Sequence, residues 1–228
     1  MRRTASLGLP PAMSFSGKRF ILWDHDGVLV DTEHWYYLAL REAMRPLGVN
    51  FEQAMYLEYM AEGRTYWDIA AARGATPADI ARQRLVRDRL YQDYLRRENL
   101  DLPGVREVLR ELSAHFRMAV VTTSKRVDFD LIHRTRDLIK PMEFVLTIED
   151  YSEPKPHPAP YLAALARFNA APAETVVIED SSRGLKSALA AGLDCIVIRH
   201  PFTATQNFSG AKLMVDSIRD LPGVLGKG

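Results

Sequence analysis

Short, uninterrupted apolar segments, each followed by polar residues, restrict most strongly what this chain can fold into. They lie at residues 20–23, 118–121, 176–178 and 195–198, with a fifth at residues 144–146. Apolar runs of this length without polar alternation are typical of strands that are covered on both faces. Helical patterns separate them: apolar residues at 105, 108, 109 and 112 have helical spacing, and a further helix is expected between Ser181 and Gly192. The sequence therefore predicts an α/β fold with a parallel sheet.

The segment between the first two predicted strands, residues 32–101, has a different character. It contains no convincing strand and several helical signals, including Thr76-Pro77 at the start of a long charged helix that reaches about Arg97. A loop of this length without secondary structure would be unusual. We therefore expect an inserted all-helical subdomain at residues 32–101, with the α/β core formed by residues 19–31 and 102–228.

Composition narrows the function classes. The chain has 30 lysines and arginines against 29 aspartates and glutamates, and 47% of its residues are hydrophobic. A balance this close to neutral predicts neither a nucleic acid nor a membrane as partner. No apolar run approaches the roughly 18 residues of a transmembrane helix. The single cysteine, Cys195, excludes an internal disulfide and a cysteine-based metal cluster. We expect a cytoplasmic globular protein.

The first 18 residues differ from the rest. They contain Arg2-Arg3 and Pro10-Pro11 but lack the central apolar segment of a secretory signal. Their composition is typical of disordered segments, so a flexible leader is expected over residues 1–18. The sequence leaves open whether Met1 or Met13 is the start.

Polar side chains follow three of the predicted strands. They are Asp24, Asp26, Thr122, Thr123, Glu179 and Asp180. Because ligands bind beyond the carboxyl ends of the strands in an open parallel sheet, we expect these groups to converge in one crevice. Lys155 lies in a proline-rich loop that precedes the third of these strands, and the prolines would hold its ammonium group in place.

This set of groups predicts phosphoryl-transfer chemistry. Four neighbouring carboxylates repel one another unless a cation joins them, and Mg²⁺ is the divalent ion that carboxylates and a substrate phosphate commonly share. Lys155 would balance the charge of a phosphoryl group. Thr122 would supply a hydroxyl and the Thr123 region a backbone N–H to its oxygens. Positioning and charge neutralisation are what phosphoryl transfer requires of a protein.

These residues also match a known family. The segment from Asp24 to Glu33 resembles the opening motif of the haloacid dehalogenase superfamily, most closely its beta-phosphoglucomutase-like phosphatase branch. Thr122, Lys155 and Glu179-Asp180 occur in the order and context of its second, third and fourth motifs. The resemblance covers about residues 18–225. It implies a Rossmann-like parallel sheet with helices on both faces and an all-helical cap formed by the insert.

The resemblance also implies a mechanism and roles. Asp24 would attack phosphorus and form an aspartyl-phosphate, and Asp26 would act as general acid and then general base. Asp24, the backbone carbonyl of Asp26 and the Asp180 carboxylate would hold Mg²⁺, with Glu179 as an additional or water-mediated ligand. The implied substrate is a small phosphorylated metabolite, for instance a sugar phosphate, and the implied oligomeric state is a monomer.

Two alternatives and one further site stay open at this stage. Mutase relatives carry a histidine twelve residues after the nucleophile, where this chain has Tyr36, so net hydrolysis is favoured over a phosphosugar mutase. A non-catalytic sensor of phosphorylated metabolites is the other alternative, although it would not need both Asp24 and Asp26. In the cap, Arg64 is expected either to contact substrate or to be an ordinary surface arginine.

Three features receive a structural interpretation. The tripeptide at residues 148–150 repeats the Ile-Glu-Asp of residues 178–180, and we assign the site to the second copy. His25, between the two aspartates, is expected to be a buried, hydrogen-bonded histidine, and its role stays open. The arginine-rich helix that follows Thr76 is interleaved with acidic residues, so it is expected to be a solvated face with ion pairs.

Overall fold

All six strands in the described part of the chain, residues 15–226 of a computed structural model, run parallel in one sheet. They are β1 (Phe20–Trp23), β2 (Arg117–Val121), β3 (Met142–Leu146), β4 (Thr175–Glu179), β5 (Asp194–Ile198) and β6 (Leu213–Val215). Their order is β3-β2-β1-β4-β5-β6, as in doubly wound folds. The five predicted strands and the predicted fold class are confirmed, and β6 is an additional edge strand.

Helices cover both faces of the sheet and form the insert. The insert contains α1 (Glu33–Met44), α2 (Gln53–Glu62), α3 (Trp67–Ala72) and α4 (Pro77–Arg97). The remaining α-helices of the described chain are α5 (Val105–Leu112), α6 (Arg126–His133), α7 (Ala159–Phe168), α8 (Ser182–Ala190) and α9 (Leu221–Leu225). None of the helices in residues 15–226 combines the length and apolar character needed to cross a membrane.

The alternation of side chains along β1 shows how the core is divided. Ile21 and Trp23 pack with α5, α6 and α9 on one face, while Phe20 and Leu22 pack with α7 and α8 on the other. All four side chains are buried. A third apolar cluster lies inside the insert, around Leu40. The insert thus has a core of its own beside the two layers of the α/β unit.

Strand register places the ends of three central strands at the same level. Trp23, the last residue of β1, pairs with Val120 of β2 and with Ile178 of β4. Asp24 therefore leaves the sheet beside the carboxyl ends of both neighbours. The strand order also changes direction at β1, and this is where doubly wound folds form their ligand crevice.

The long insert helix α4 begins and ends as its sequence predicts. The Thr76 hydroxyl accepts a hydrogen bond from the Asp79 backbone N–H at 3.1 Å, which caps the first turn. Arg82 pairs with Asp79 at 2.7 Å, and Arg96 pairs with Asp93 at 3.0 Å. The interleaved charges therefore form ion pairs along a solvated face, as predicted, except at Arg87, which is buried and donates to the Tyr36 hydroxyl.

The ordered core begins before the predicted boundary at residue 19. Phe15 is buried in the core cluster that contains Ile21. Lys18 is also buried, and its ammonium group donates to the Thr175 carbonyl at 2.8 Å and pairs with Asp194 at 2.9 Å. These contacts place residues 15–18 in the core as well. The rest of the predicted leader, including the choice between Met1 and Met13, lies outside the described residues.

Replacing Phe15 tests this boundary. Phe15→Ala should lower the free energy of unfolding by about 3 kcal/mol, because it removes a buried aromatic ring from the core. Leu85→Ala is the control, since that side chain is 63% exposed, and it should change the free energy by less than about 0.5 kcal/mol. Urea unfolding followed by circular dichroism measures both. Equal, small effects would show that Phe15 does not pack in the core.

Candidate active site

A buried lysine joins the ends of the three central strands. The Lys155 ammonium group donates to Asp24 Oδ1 at 2.6 Å, to Glu179 Oε1 at 2.7 Å and to the Val121 carbonyl at 2.9 Å. These acceptors follow or end β1, β4 and β2, respectively. The structure therefore brings together the lysine and the carboxylates that the sequence placed in one crevice.

Three carboxylates form a compact group at this point. Asp24, Glu179 and Asp180 each offer an oxygen, and these atoms lie within 4.8 Å of one another. The turn after β1 leaves room for them only because residue 27 is glycine. Gly27 has a φ of +80°, and a Cβ atom there would lie 2.2 Å from Asp180 Oδ2. Residue 27 must therefore be glycine, because its positive φ and the adjacent Asp180 carboxylate both disfavour a side chain.

The carboxylate group carries more negative charge than Lys155 alone balances. Burial, followed by the charge of Glu179, raises the pKa of Asp24 to about 7, although Lys155 opposes this change. Burial and the charges of Asp24 and Glu179 also raise the pKa of Asp180 well above its ordinary value. A divalent cation would remove this repulsion, and an all-oxygen donor set is the one that Mg²⁺ prefers. The residues present therefore fit a magnesium ion.

Glu179 is held more tightly than its two neighbours. Besides Lys155, its carboxylate accepts hydrogen bonds from the Tyr161 hydroxyl at 2.8 Å, the Ser181 hydroxyl at 3.0 Å and two backbone N–H groups. Burial alone would raise its pKa, but Lys155 and these donors lower it. A Cβ atom on Gly184 would lie 1.8 Å from Glu179 Oε1, so the first turn of α8 accommodates this carboxylate. Both Glu179 oxygens are thus already engaged by protein donors.

Asp26 lies in a ring of hydrogen-bond donors. Its carboxylate accepts from the hydroxyls of Ser124 at 2.6 Å, of Thr122 at 3.2 Å and of Thr32. Burial opposes ionisation, but the neighbouring His25 and the Ser124 and Thr32 hydroxyls outweigh it and lower the pKa of Asp26. Asp26 is therefore ionised at neutral pH.

His25 is fully buried, as predicted, and connects Asp26 to a second histidine. Its Nδ1 lies 3.3 Å from Asp26 Oδ2, and its Nε2 lies 2.9 Å from His133 Nε2. Its ring also packs against Phe129. Burial, together with the proximity of His25, lowers the pKa of His133 to about 3. His25 thus supports Asp26 from the interior of the protein.

A cavity of about 310 Å³ lies in front of these groups. The core contributes Asp26, Thr123, Lys155 and Arg183 to its walls, among others. The insert contributes Glu33, Arg64 and five tyrosines, among others: Tyr36, Tyr56, Tyr59, Tyr66 and Tyr91. A smaller space beside Asp24 and Asp180 shares several of these residues, including Glu33, Thr123, Lys155 and Arg183. The site is therefore walled by core on one side and by insert on the other.

The insert touches the core directly above the lysine loop. A Cβ atom on Gly63, at the end of α2, would lie 2.8 Å from Pro156 Cδ, so the two loops are in close contact. Lys186 of α8 also donates to the Ala61 carbonyl at 3.4 Å. These contacts place the helical insert against the core beside the candidate site.

The predicted phosphate-binding and cap residues differ in their exposure to the cavity. Thr122 is fully buried and bonds Asp26 and the Ser124 backbone, whereas Thr123 lines the cavity. Arg64 lines the outer wall, where its guanidinium stacks 3.8 Å from the Tyr59 ring centroid and pairs with Glu58 at 2.9 Å and with Glu62. A phosphate contact through the Thr122 hydroxyl and a substrate contact through Arg64 stay predictions.

The two copies of the Ile-Glu-Asp tripeptide, at residues 148–150 and 178–180, lie in different places in the fold. Glu149 and Asp150 lie in a helical turn after β3, where Arg126 donates to both of them. Asp150 also caps this turn by accepting from the Thr147 backbone N–H at 2.8 Å. It is Glu179-Asp180 that the structure brings next to Asp24, in agreement with the choice made from the sequence.

Glu33 and Arg183 are two charged cavity residues that the sequence analysis does not assign to the site. Glu33 ends the first motif and Arg183 follows the acidic motif, so both belong to segments already singled out. Burial alone would lower the pKa of the Arg183 guanidinium, but the charge of Glu33 and smaller contributions from Tyr66 and Tyr56 raise it. The sequence signal that was available is their position, at the end of the first motif for Glu33 and three residues after Asp180 for Arg183.

The doubly wound sheet, the helical cap and the lysine–carboxylate group define a capped Rossmann-like enzyme with its site at the strand ends. The family model described as haloacid dehalogenase-like hydrolase matches residues 21–198. The chain therefore belongs to this family, as the motifs predicted.

Relatives and solved structures agree with this assignment. Protein CbbY of Cereibacter sphaeroides is 28% identical over 221 residues, which cover 90% of this chain and 95% of that protein. The phosphorylated carbohydrates phosphatase of Thermotoga maritima is 30% identical over 77% of this chain and 82% of its own length. The crystal structure of CbbY from Rhodobacter sphaeroides in complex with phosphate has a TM-score of 0.76 at 27% identity, covering 91% of this chain and 99% of that one.

The raised pKa of Asp24 predicts how pH affects the stability of the metal-free protein. Between about pH 4 and 7 the folded chain retains a proton on Asp24 that the unfolded chain has released, since the pKa rises from 3.8 to about 7 on folding. The free energy of unfolding should therefore fall as pH rises through this range, by up to about 1.4 kcal/mol per pH unit for this proton.

Asp24→Asn removes this ionisation and should flatten the pH dependence in the same range. Asp216→Asn is the matched control, because the Asp216 side chain is 80% exposed, and it should leave the slope unchanged. Urea unfolding in the presence of EDTA at several pH values measures the slope. An Asp24→Asn protein with the wild-type slope would contradict the proposed electrostatics.

Proposed function

We propose that this chain is a magnesium-dependent phosphatase that hydrolyses a small phosphorylated metabolite through an aspartyl-phosphate at Asp24. The observation that carries the proposal is the joining of Asp24 to Lys155, 2.6 Å away, beside Asp180 at the wall of a capped cavity. A nucleophilic carboxylate, a fixed ammonium group and a divalent cation site are together what phosphoryl transfer from an ester requires.

The enzyme class is that of a phosphoric monoester hydrolase of the haloacid dehalogenase-like family. Its relatives include a phosphorylated carbohydrates phosphatase and a phosphoglycolate phosphatase, the latter 25% identical over 92% of this chain. A crystal structure of a CbbY variant holds xylulose 1,5-bisphosphate. These names support a phosphatase acting on phosphorylated metabolites, and the reaction steps and the metal belong to our proposal.

The two aspartates of the first motif divide the chemistry between them. A carboxylate oxygen of Asp24 forms a bond to phosphorus while the ester P–O bond breaks, and Asp26 gives a proton to the departing alcohol oxygen. Asp26 then takes a proton from the water that attacks the aspartyl-phosphate, and the bond between phosphorus and the Asp24 oxygen breaks to release inorganic phosphate. Because its pKa is lowered, Asp26 is ionised in the free protein and is therefore in the form that can accept this proton. The charge of a bound phosphate would raise that pKa for the first role.

Asp24 and Asp180 would hold the magnesium ion through their carboxylates, together with the backbone carbonyl of Asp26. When bound, the ion would neutralise negative charge at the phosphoryl group. Lys155 would balance further charge from the opposite side. Because both Glu179 oxygens already accept hydrogen bonds from the protein, we favour a water-mediated contact of Glu179 with the ion.

The size of the cavity and the residue at position 36 support net hydrolysis of a small molecule. A cavity of about 310 Å³ accommodates a metabolite rather than a folded protein. The Tyr36 hydroxyl, in place of the mutase histidine, accepts a hydrogen bond from Arg87. Within this proposal Thr123 contacts the phosphate, and Arg64 contacts the outer end of the substrate. The monomeric state and cytoplasmic location stay predictions.

A phosphate-release assay over a panel of phosphorylated metabolites tests this proposal. Wild type should release phosphate only with Mg²⁺, and EDTA should abolish release. Asp24→Asn should lower kcat by at least about 1,000-fold, because the nucleophile is lost. Asp216→Asn should retain wild-type activity, since that exposed residue lies outside the site. Acid quenching during turnover should trap a phosphoprotein that hydroxylamine cleaves, and that Asp24→Asn does not form.

Other outcomes would favour the alternatives. Isomerisation of a hexose phosphate that depends on a bisphosphate activator would identify a mutase. Absence of turnover, combined with tight binding of sugar phosphates by both wild type and Asp24→Asn, would identify a sensor. Turnover without a trappable phosphoprotein at any time point would contradict the covalent step.

A further inference from the structure

Arg183 is the only cationic side chain lining the cavity that has no carboxylate partner within residues 15–226. The cations in the cavity wall are Arg64, Arg87, Lys125, Lys155 and Arg183. Each of the other four makes an ion pair with a neighbouring aspartate or glutamate. Arg183 donates to the Thr123 hydroxyl at 3.2 Å, and its buried Nε has no hydrogen-bond partner in the described chain. A guanidinium with unused donors therefore lies beside the reactive carboxylates.

Glu33 faces the same small space with an unused acceptor. It lines that space together with Asp24, Asp180 and Arg183. The Tyr56 hydroxyl donates to Glu33 Oε1, and no described donor bonds its other carboxylate oxygen. No ion pair joins Glu33 to Arg183, although the charge of Arg183 lowers the pKa of Glu33 and the charge of Glu33 raises the pKa of Arg183. The Arg183 guanidinium, a donor, and the Glu33 carboxylate, an acceptor, thus face the same small space beside Asp24 and Asp180.

We propose that Arg183 and Glu33 together bind a hydroxyl group of the substrate close to its phosphoester, and so select phosphorylated polyols such as sugar phosphates. This inference rests on the proposed phosphatase function. A hydroxyl accepts a hydrogen bond from a guanidinium N–H and donates one to a carboxylate at the same time. The pair adds no net charge, so it recognises a neutral polar group rather than a second anion.

The same two residues select against other phosphate esters. An aryl phosphate has no hydroxyl to offer, so it would leave a buried guanidinium donor and a carboxylate acceptor unpaired. A phosphorylated hydroxy acid would bring its carboxylate against Glu33, and the like charges would repel. Arg183 and Glu33 are therefore specificity residues, distinct from the groups that hold the phosphoryl oxygens.

Kinetics on three kinds of ester test this proposal. The probes are a panel of sugar monophosphates, 2-phosphoglycolate and p-nitrophenyl phosphate, each measured with wild type, Arg183→Gln, Arg183→Lys and Glu33→Gln. Wild type should prefer its best sugar phosphate over p-nitrophenyl phosphate by at least about 100-fold in kcat/KM. Arg183→Gln should lower that ratio by at least about tenfold, with the larger loss on the sugar phosphate. Arg183→Lys should restore part of the ratio.

Glu33→Gln should also lower the sugar phosphate ratio, and should in addition raise kcat/KM for 2-phosphoglycolate by about tenfold, because the repelling charge is gone. The control is Arg106→Gln, which removes an exposed arginine of α5 and should leave all three substrates unchanged. Thermal unfolding of each variant shows whether it is folded, and Arg183→Lys serves if Arg183→Gln is not.

Failure of this inference is distinguishable from failure of the proposed function. Equal loss of activity on all three substrates would show that Arg183 holds the phosphoryl group itself and would overturn the proposal. An unchanged substrate ratio in both Arg183 variants would overturn it too. If wild type released no phosphate from any ester, the phosphatase function itself would be wrong, and the specificity inference would be rejected with it.

Discussion

The charge of one buried ammonium group organises this site. Lys155 is almost completely buried, and burial alone would lower its pKa, but Asp24 and Glu179 raise it. A buried charge of this kind is tolerated only with excellent partners, and removing one partner leaves the other uncompensated. Since its three acceptors come from the ends of β1, β2 and β4, Lys155 also fixes how closely those strand ends approach. The position of the nucleophile therefore depends on a residue from a loop far along the chain.

The carboxylates around Lys155 do not behave alike, and the difference comes from their hydrogen bonds. Glu179 accepts several bonds from fixed donors and has a lowered pKa, whereas burial and repulsion raise the pKa of Asp180. Asp26 is stabilised as an anion by hydroxyls on the far side of the site. Negative charge is thus well stabilised at Glu179 and Asp26, and less so at Asp180 and at Asp24, whose pKa is raised despite its contact with Lys155. The two less stabilised groups are those proposed to bind the ion.

The sequence predicts the strands and motifs that a local pattern encodes. It does not predict features that depend on which residues meet in the folded chain. Continuous apolar runs identify five strands, but the three-residue run at residues 213–215, which forms β6 at the sheet edge, is not among them although it is as long as the predicted run at residues 144–146. Phe15 was assigned to the leader because its neighbours have a disordered composition, and only the fold shows that its ring is buried. Arg183 illustrates the other limit. Its significance is the absence of a carboxylate partner in the described chain, a property of the whole cavity that no local pattern encodes.

The connection between β1 and the cap links Asp26, the proposed general acid–base, to Glu33, the proposed specificity residue. Thr32 donates to the Asp26 carboxylate, and the next residue, Glu33, begins α1 and lines the cavity. A shift of α1 would therefore move the proposed general acid–base and the proposed specificity carboxylate together. Tyr56 of α2 bonds Glu33 as well, so the packing of two cap helices is coupled to the same point. This continuity explains how a cap built from helices alone can influence chemistry at the ends of strands, since its first helix starts within the catalytic loop.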